Sequence, residues 1–235
     1  MNANEWSAAF GELARQTMSS AELERYFSIP ITKARAQLIL QQLSLYVRHR
    51  RDCWAFVSGN SPVLSVKQKI LGHEYEEVIR DQHSEHGHLD LIFRQGKCIG
   101  LGADDILNTK PIPSTTATLY SWGWMCKKKH WLEGLASLTI TEWANDDRLL
   151  HDVGGGLSSR MAKRWMDDLG FGWEQMPNFK VHSEADEEHS DMFLEDLEKF
   201  ATGEKETQVY QAAKESMDLL KIFRGGIAKE MERLG

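Results

Sequence analysis

Cysteine is scarce in this chain: three residues, Cys53, Cys98 and Cys126, lie far apart with no CxxC pair. That excludes a disulfide framework and a thiolate zinc site. No apolar run approaches the roughly 20 residues that a bilayer demands. The opening MNANEWSAAF lacks a basic region ahead of an apolar stretch. Neither a spanning helix nor a secretory leader is therefore expected, and a reduced, cytoplasmic compartment is the default. Positive charge is confined to two short runs, Arg48-His49-Arg50-Arg51 and Lys127-Lys128-Lys129, in a chain of net charge -7. Neither run is long or interleaved with enough aromatics for a nucleic-acid groove. There is no internal repeat, no alternating strand pattern and no GxxxxGK[ST] motif, so His151-Asp152-Val153-Gly154-Gly155-Gly156 reads as a flexible loop and not as a phosphate cradle.

What remains is helix. The 235 residues suffice for a sizeable core and are expected to form a single domain over 1–235. Ser19-Ser20-Ala21-Glu22 has the look of a helix start with an acidic first turn. A long helix is expected from Thr32 to about Val57, and Asn60-Ser61-Pro62 marks a stop and restart with Ser61 as N-cap and Pro62 at the first helical position. Further helices are expected over 63–83, 89–100, 115–129 and 131–143. A short one, capped by Ser158 or Ser159, should end at Gly170, and the last two should cover 177–202 and 206–234, the final helix bent at Gly225-Gly226. The fold class is all-α, a bundle of seven to nine helices.

Several positions break the helical pattern in the same way. The stripe Val63, Val66, Ile70 continues on the same face as Glu74, Glu77 and Asp81. Glu142 ends the apolar side of the helix that carries Leu135, Leu138 and Thr139. Carboxylates on a core face are costly unless paired or bound to a cation. In the later segment Val181–His189, His182, Asp186 and His189 stand at i, i+4 and i+7 and project from one helical face. Two imidazoles with a carboxylate suit a divalent first-row metal such as iron or manganese; the competing reading is a solvated acidic helix. In chain order the set is Asp81, His88, Glu142, His182, Asp186 and His189. Carboxylates and histidines spread over three or four helices are how bundle proteins build a dinuclear iron or manganese site.

These residues resemble those of the heme-oxygenase-like diiron oxidases and oxygenases, which share a helical fold with thiaminase-like and pyrroloquinoline-quinone synthase proteins. The spacing is similar to that of a chlamydial protein associating with death domains. The likeness rests on an acid seven residues before a histidine (Asp81, His88), a central acid (Glu142) and the closing HxxxDxxH, with His88-Leu89-Asp90-Leu91 running on to Gly100-Leu101-Gly102. It spans roughly residues 20 to 225. The resemblance implies six metal ligands, two Fe(II) ions with manganese as an alternative, and O2 as co-substrate. It further implies oxidation of a small, biosynthetic, amino-acid-derived metabolite by C–C or C–N cleavage or N-oxygenation. A homodimer is compatible with it, and neither nucleic acid nor membrane is an expected partner. Relatives usually add an early-helix glutamate, absent here, so Gln42, Glu74 or Glu77 is the candidate for a seventh ligand. Trp122, Trp124, Trp143 and Tyr46 are candidate pocket walls, and His73, His83 and His86 are expected mainly at the surface. The alternative is a metal-independent enzyme that binds an organic substrate in the same cavity; a third reading is an acidic helical interaction protein.

Overall fold

A computed structural model of the chain describes every residue except His83, and of residues 184–189 it describes only the helical backbone. Among the described residues the chain is helical throughout, with no strand. The α-helices are α1 (Ala3–Met18), α2 (Ala21–Ser28), α3 (Lys33–Asn60), α4 (Leu64–Val78), α5 (His88–Cys98), α6 (Ala103–Leu107), α7 (Pro113–Lys128), α8 (Trp131–Trp143), α9 (Asp147–Leu150), α10 (Leu157–Leu169), α11 (Pro177–Asp191), α12 (Leu194–Phe200) and α13 (Glu204–Arg233). Thirteen among the described residues exceeds the seven to nine expected. The excess is α1, for which no helix was expected, and α6, α9 and α12, of seven residues or fewer, too short for a 3.6-residue period to register; α2 begins where Ser19-Ser20-Ala21-Glu22 marks a helix start.

α8 is the axis. Eleven of its thirteen residues are buried, as expected of a helix enclosed on all sides. It packs against α13 most extensively, and also against α7, α11, α3 and α1. Small residues bring the crossings close: a Cβ on Gly134 would stand 3.0 Å from Val57 Cγ2 and 3.3 Å from Cys126 Cα. Gly225 and Gly226 do not interrupt α13, which is one helix of 30 residues. Gly226 instead serves packing, because a Cβ there would overlap Ser114 at the start of α7. α1, which composition does not announce, is signalled by its cap: the Asn2 side chain accepts from Glu5 N and Glu5 reaches back to Asn2 N. Its Trp6 and Phe10 are fully buried, Phe10 edge-on to Trp143 at 5.9 Å.

Four expected boundaries move. α4 starts at Leu64 with Val63 at the cap, while Ser61 Oγ takes the Val63 N–H and the backbone there is extended. α4 also ends at Val78, which leaves Asp81 on the following loop. The expected 177–202 helix is two, α11 and α12, broken at Met192-Phe193. Gly156, not Ser158 or Ser159, caps α10, whose far end is closed by Gly170 in the left-handed region, as expected. The loop before α10 is tied down: Gly155 N donates to Leu150 O, Gly156 N to Asp147 Oδ1 and Leu157 N to Ala144 O.

Cys53, Cys98 and Cys126 are free thiols. No helix among the described residues is long and apolar enough to cross a membrane. Gly72 lies in the interior of α4 on an exposed face with open space around an added Cβ. Gly72→Ala is therefore expected to stabilise the protein by about 1 kcal/mol, a rise of roughly 2–4 °C in Tm by calorimetry. An unchanged or lowered Tm would contradict the helical placement.

Candidate metal centre and its cavity

Three segments bring the first group of side chains together. His88 opens α5, and Gly87 before it adopts φ 69°. That conformation lets the α5 start abut the end of α4, where a Cβ on Gly87 would come 2.6 Å from Val78 O. The loop from α4 is closed by Asp81 itself: its N–H donates to Ser84 O, and its Oδ1 accepts from Ser84 N at 2.6 Å. Its other oxygen, Oδ2, lies 2.9 Å from His88 Nε2. On the opposite side of the ring, His88 Nδ1 is 2.9 Å from Glu77 Oε1 on α4. The approach is an ion-pair distance but is not aligned as a hydrogen bond, and Nδ1 has no hydrogen-bond partner. The His88 ring is buried and meets His182 of α11 edge-on, centroids 5.0 Å apart.

The second group is unforeseen in the sequence reading. Arg50 and Arg51, noted there only as part of a short basic run, turn inward from α3. Arg50 Nη2 pairs with Glu142 Oε1, and the same guanidinium reaches Thr141 Oγ1, Leu138 O at 3.3 Å and the Tyr46 hydroxyl at 3.2 Å. Arg51 Nη1 spans Glu74 Oε1 at 2.9 Å and Glu77 Oε2 at 3.0 Å. The signal was present in the spacing: Arg50 stands seven residues after Leu43 and four before Trp54, on the buried stripe of α3.

Glu77 and His182 from the first group and Arg50, Arg51 and Glu142 from the second line one cavity of about 60 Å³, whose wall also includes Arg224. Its ionisable groups perturb one another. Burial alone would lower the pKa of His88, but Glu77 and then Asp81 outweigh it and raise it to about 9. Burial would raise Glu77, yet Arg51, followed by His88 and His73, holds it well below the usual carboxylate range. Burial also opposes the charge of Arg50, and its neighbours, Tyr46 and Glu142 foremost, nonetheless raise its pKa.

Of the six sequence-designated residues, Asp81 and His88 are in contact, His182 lies against His88, and Glu142 shares the cavity wall with His182. Asp186 and His189 lie outside the described side chains, on the continuous backbone of α11. Gln42 is not at the centre: its amide is spent on the α6–α7 connection, donating to Lys110 O and accepting from Ile112 N. Of Glu74 and Glu77, it is Glu77 that stands beside His88. Tyr46 lines the cavity as expected. Trp122 and Trp143 are core residues, bonded to Ser216 Oγ and Ser190 O, and Trp124 is exposed. His73 is buried against Trp54, contrary to its expected surface position; His86 is exposed, and His83 lies outside the described residues.

Among the described residues, no three His, Cys, Asp or Glu side chains converge closely enough to hold a metal ion. The donor set nevertheless fits iron in kind. An imidazole nitrogen without a hydrogen bond, a carboxylate oxygen 2.9 Å from it and a second imidazole edge-on are borderline and hard donors in a buried position.

The family model for iron-containing redox enzymes matches residues 37–221. Solved structures agree with the fold over nearly the whole chain. One is a domain of unknown function with a heme oxygenase-like fold from Shewanella denitrificans OS217, at TM-score 0.77 and 17 % identity, covering 100 % of this chain and 95 % of that one. Another is a CADD-like protein of unknown function from Nostoc punctiforme PCC 73102, at TM-score 0.75 and 13 % identity, with 97 % of each chain covered. A third is a TenA homologue from P. horikoshii OT3, at TM-score 0.68 and 11 % identity, covering 99 % and 98 %. No functionally curated protein matches the sequence.

Proposed function

The chain belongs to the iron-containing redox enzymes of heme oxygenase-like fold, and from that premise we propose that it is an O2-dependent non-heme diiron oxidase or oxygenase of a small metabolite. The observation that carries this reading is buried His88 with Asp81 and Glu77 at its two ring nitrogens and His182 edge-on to it, Glu77 and His182 in turn lining the cavity that Glu142 also lines. Asp81, His88, Glu142 and His182 would hold the metal together with Asp186 and His189, and Glu77 is the seventh donor in place of the missing early-helix acid. When bound, the iron supplies O2 activation and electron transfer from the substrate.

The protein's own groups do the rest. Arg50 fixes the orientation of Glu142 and balances its charge, and Arg51 does the same for Glu77 and Glu74. Buried aromatic and aliphatic side chains from α3, α10, α11 and α13 keep bulk water from the cavity. The small volume selects a small substrate. One specific feature favours a metal-independent enzyme as the second reading: the buried carboxylates already have arginine partners, so their charge is balanced without a cation.

Anaerobic loading with Fe(II) followed by exposure to O2 distinguishes the two. The diiron reading expects close to two irons per chain and a transient visible absorption band. His182→Ala is expected to lower iron affinity at least about tenfold, read by metal analysis after dialysis. Unchanged iron content in that variant, or no iron uptake by the parent protein, would refute the ligand assignment.

A further inference from the structure

Among the described residues, one cation in the cavity has no counter-charge. Arg224 projects from α13 at a stripe position, four residues after Leu220 and four before Ala228, both buried. It is only 7 % exposed. Its guanidinium lies over the rings of Tyr26 and Phe223, at 5.5 and 5.2 Å. Among the described residues its one hydrogen bond is from Nη1 to the Tyr26 hydroxyl at 3.3 Å, and Nε is buried without a partner. The other buried arginines differ. Arg50 is paired with Glu142, and Arg35 is satisfied by Met231 O and Pro30 O at 2.8 Å each. On the same cavity wall, the buried Asn178 carries a second unpartnered polar atom, Oδ1.

A buried guanidinium without a carboxylate partner is costly. Water in a cavity of about 60 Å³ can hydrogen-bond to it but cannot neutralise it. A planar monoanion can, because the fork of an arginine donates to two carboxylate oxygens side by side. We propose that Arg224 and the Tyr26 hydroxyl form a binding subsite for the carboxylate of a small organic acid, which is thereby held beside Glu142 and His182. The proposal deepens the oxidase reading, on which it rests only in taking that acid to be the substrate. Phosphate suits the subsite less well: it is bulkier and carries up to two charges against one guanidinium.

The test uses the full chain, freed of metal by chelator and dialysis, titrated calorimetrically with sodium propionate, propionamide and inorganic phosphate. Propionate is expected to bind with Kd of roughly 1 mM, the range for a ligand of five heavy atoms, and propionamide and phosphate at least about tenfold more weakly. Arg224→Met should weaken propionate by about 10–100-fold, and Tyr26→Phe by about 2–10-fold. Without propionate, Arg224→Met is expected to melt at or above the parent temperature, since it removes an uncompensated charge. Arg224→Lys, which keeps the charge and loses the fork, should fold and bind at least tenfold more weakly. Equal binding of propionate and propionamide, tighter binding of phosphate, parent-like affinity in Arg224→Met or Arg224→Lys, or a marked fall in Tm for Arg224→Met would each overturn the proposal. Iron uptake by Arg224→Met should match the parent. Failure of the parent to take up iron leaves the anion result standing, so the two readings fail separately.

Discussion

Replacing Arg50 by methionine is expected to destabilise the metal-free protein by about 3–5 kcal/mol, the usual consequence of removing one member of a buried ion pair. The Arg50 and Glu142 side chains are 7 % and 14 % exposed. Methionine fills much of the volume but takes from the Glu142 carboxylate the guanidinium that pairs with it. It also leaves Thr141 Oγ1 and Leu138 O without their shared donor. Glu142→Gln should be milder, because the amide still accepts from Arg50. The double variant should recover part of the loss, giving a coupling energy in a double-mutant cycle. The measurement is urea unfolding of the metal-free protein. Under the diiron proposal, Fe(II) supplies the missing cation and should restore a share of the lost stability to Arg50→Met. Parent-like stability of Arg50→Met would show that Glu142 does not depend on Arg50.

Gly87→Ala should have the second large effect, about 3 kcal/mol. Alanine at φ 69° pays the left-handed penalty of roughly 1–2 kcal/mol. Its Cβ would also lie 2.6 Å from Val78 O and 2.8 Å from Glu77 O. Those atoms are backbone and cannot swing aside, so α5 must shift away from α4 at considerable further cost. His88 is the next residue, and its distances to Glu77 and Asp81 should lengthen together. Gly72→Ala is the internal control, since it lies on the neighbouring helix and has free space. Chemical unfolding gives the stability loss, and the imidazole resonance of His88 in NMR reports its displacement. Unchanged stability in Gly87→Ala would mean that the α4–α5 junction is looser than its geometry implies.

Apart from α1, the long helices are legible because each carries an apolar stripe at helical spacing, and α8 from Trp131 to Trp143 is legible to the residue. Short helices such as α6 and α9 have no room for a stripe and were missed. The break between α11 and α12 has neither glycine nor proline to announce it. The acids on core faces gave the cavity away, since Glu77 and Glu142 offend the apolar pattern. Arg50 and Arg224 offend it equally, but a basic residue is readily taken for solvated surface. The local pattern cannot say that Arg50 faces Glu142, because that pairing joins residues 92 positions apart. Asp81 was assigned to a helix that ends at Val78; the contact with His88 survives because the intervening loop folds back on itself.

Trp143 follows Glu142 directly, and its indole N–H is bonded at 2.9 Å to the carbonyl of Ser190, the residue after His189. Ser190 Oγ is bonded in turn to buried Asp146, three residues beyond Trp143, at 2.7 Å. A rigid aromatic thus acts as a strut between α8 and the far end of α11. The separation of those two helices is gauged by the hydrophobic interior and, under the diiron proposal, is set before any cation arrives to draw them together. Ions of different radius should therefore meet the same frame, and discrimination among them falls to side-chain reach, not to movement of the helices.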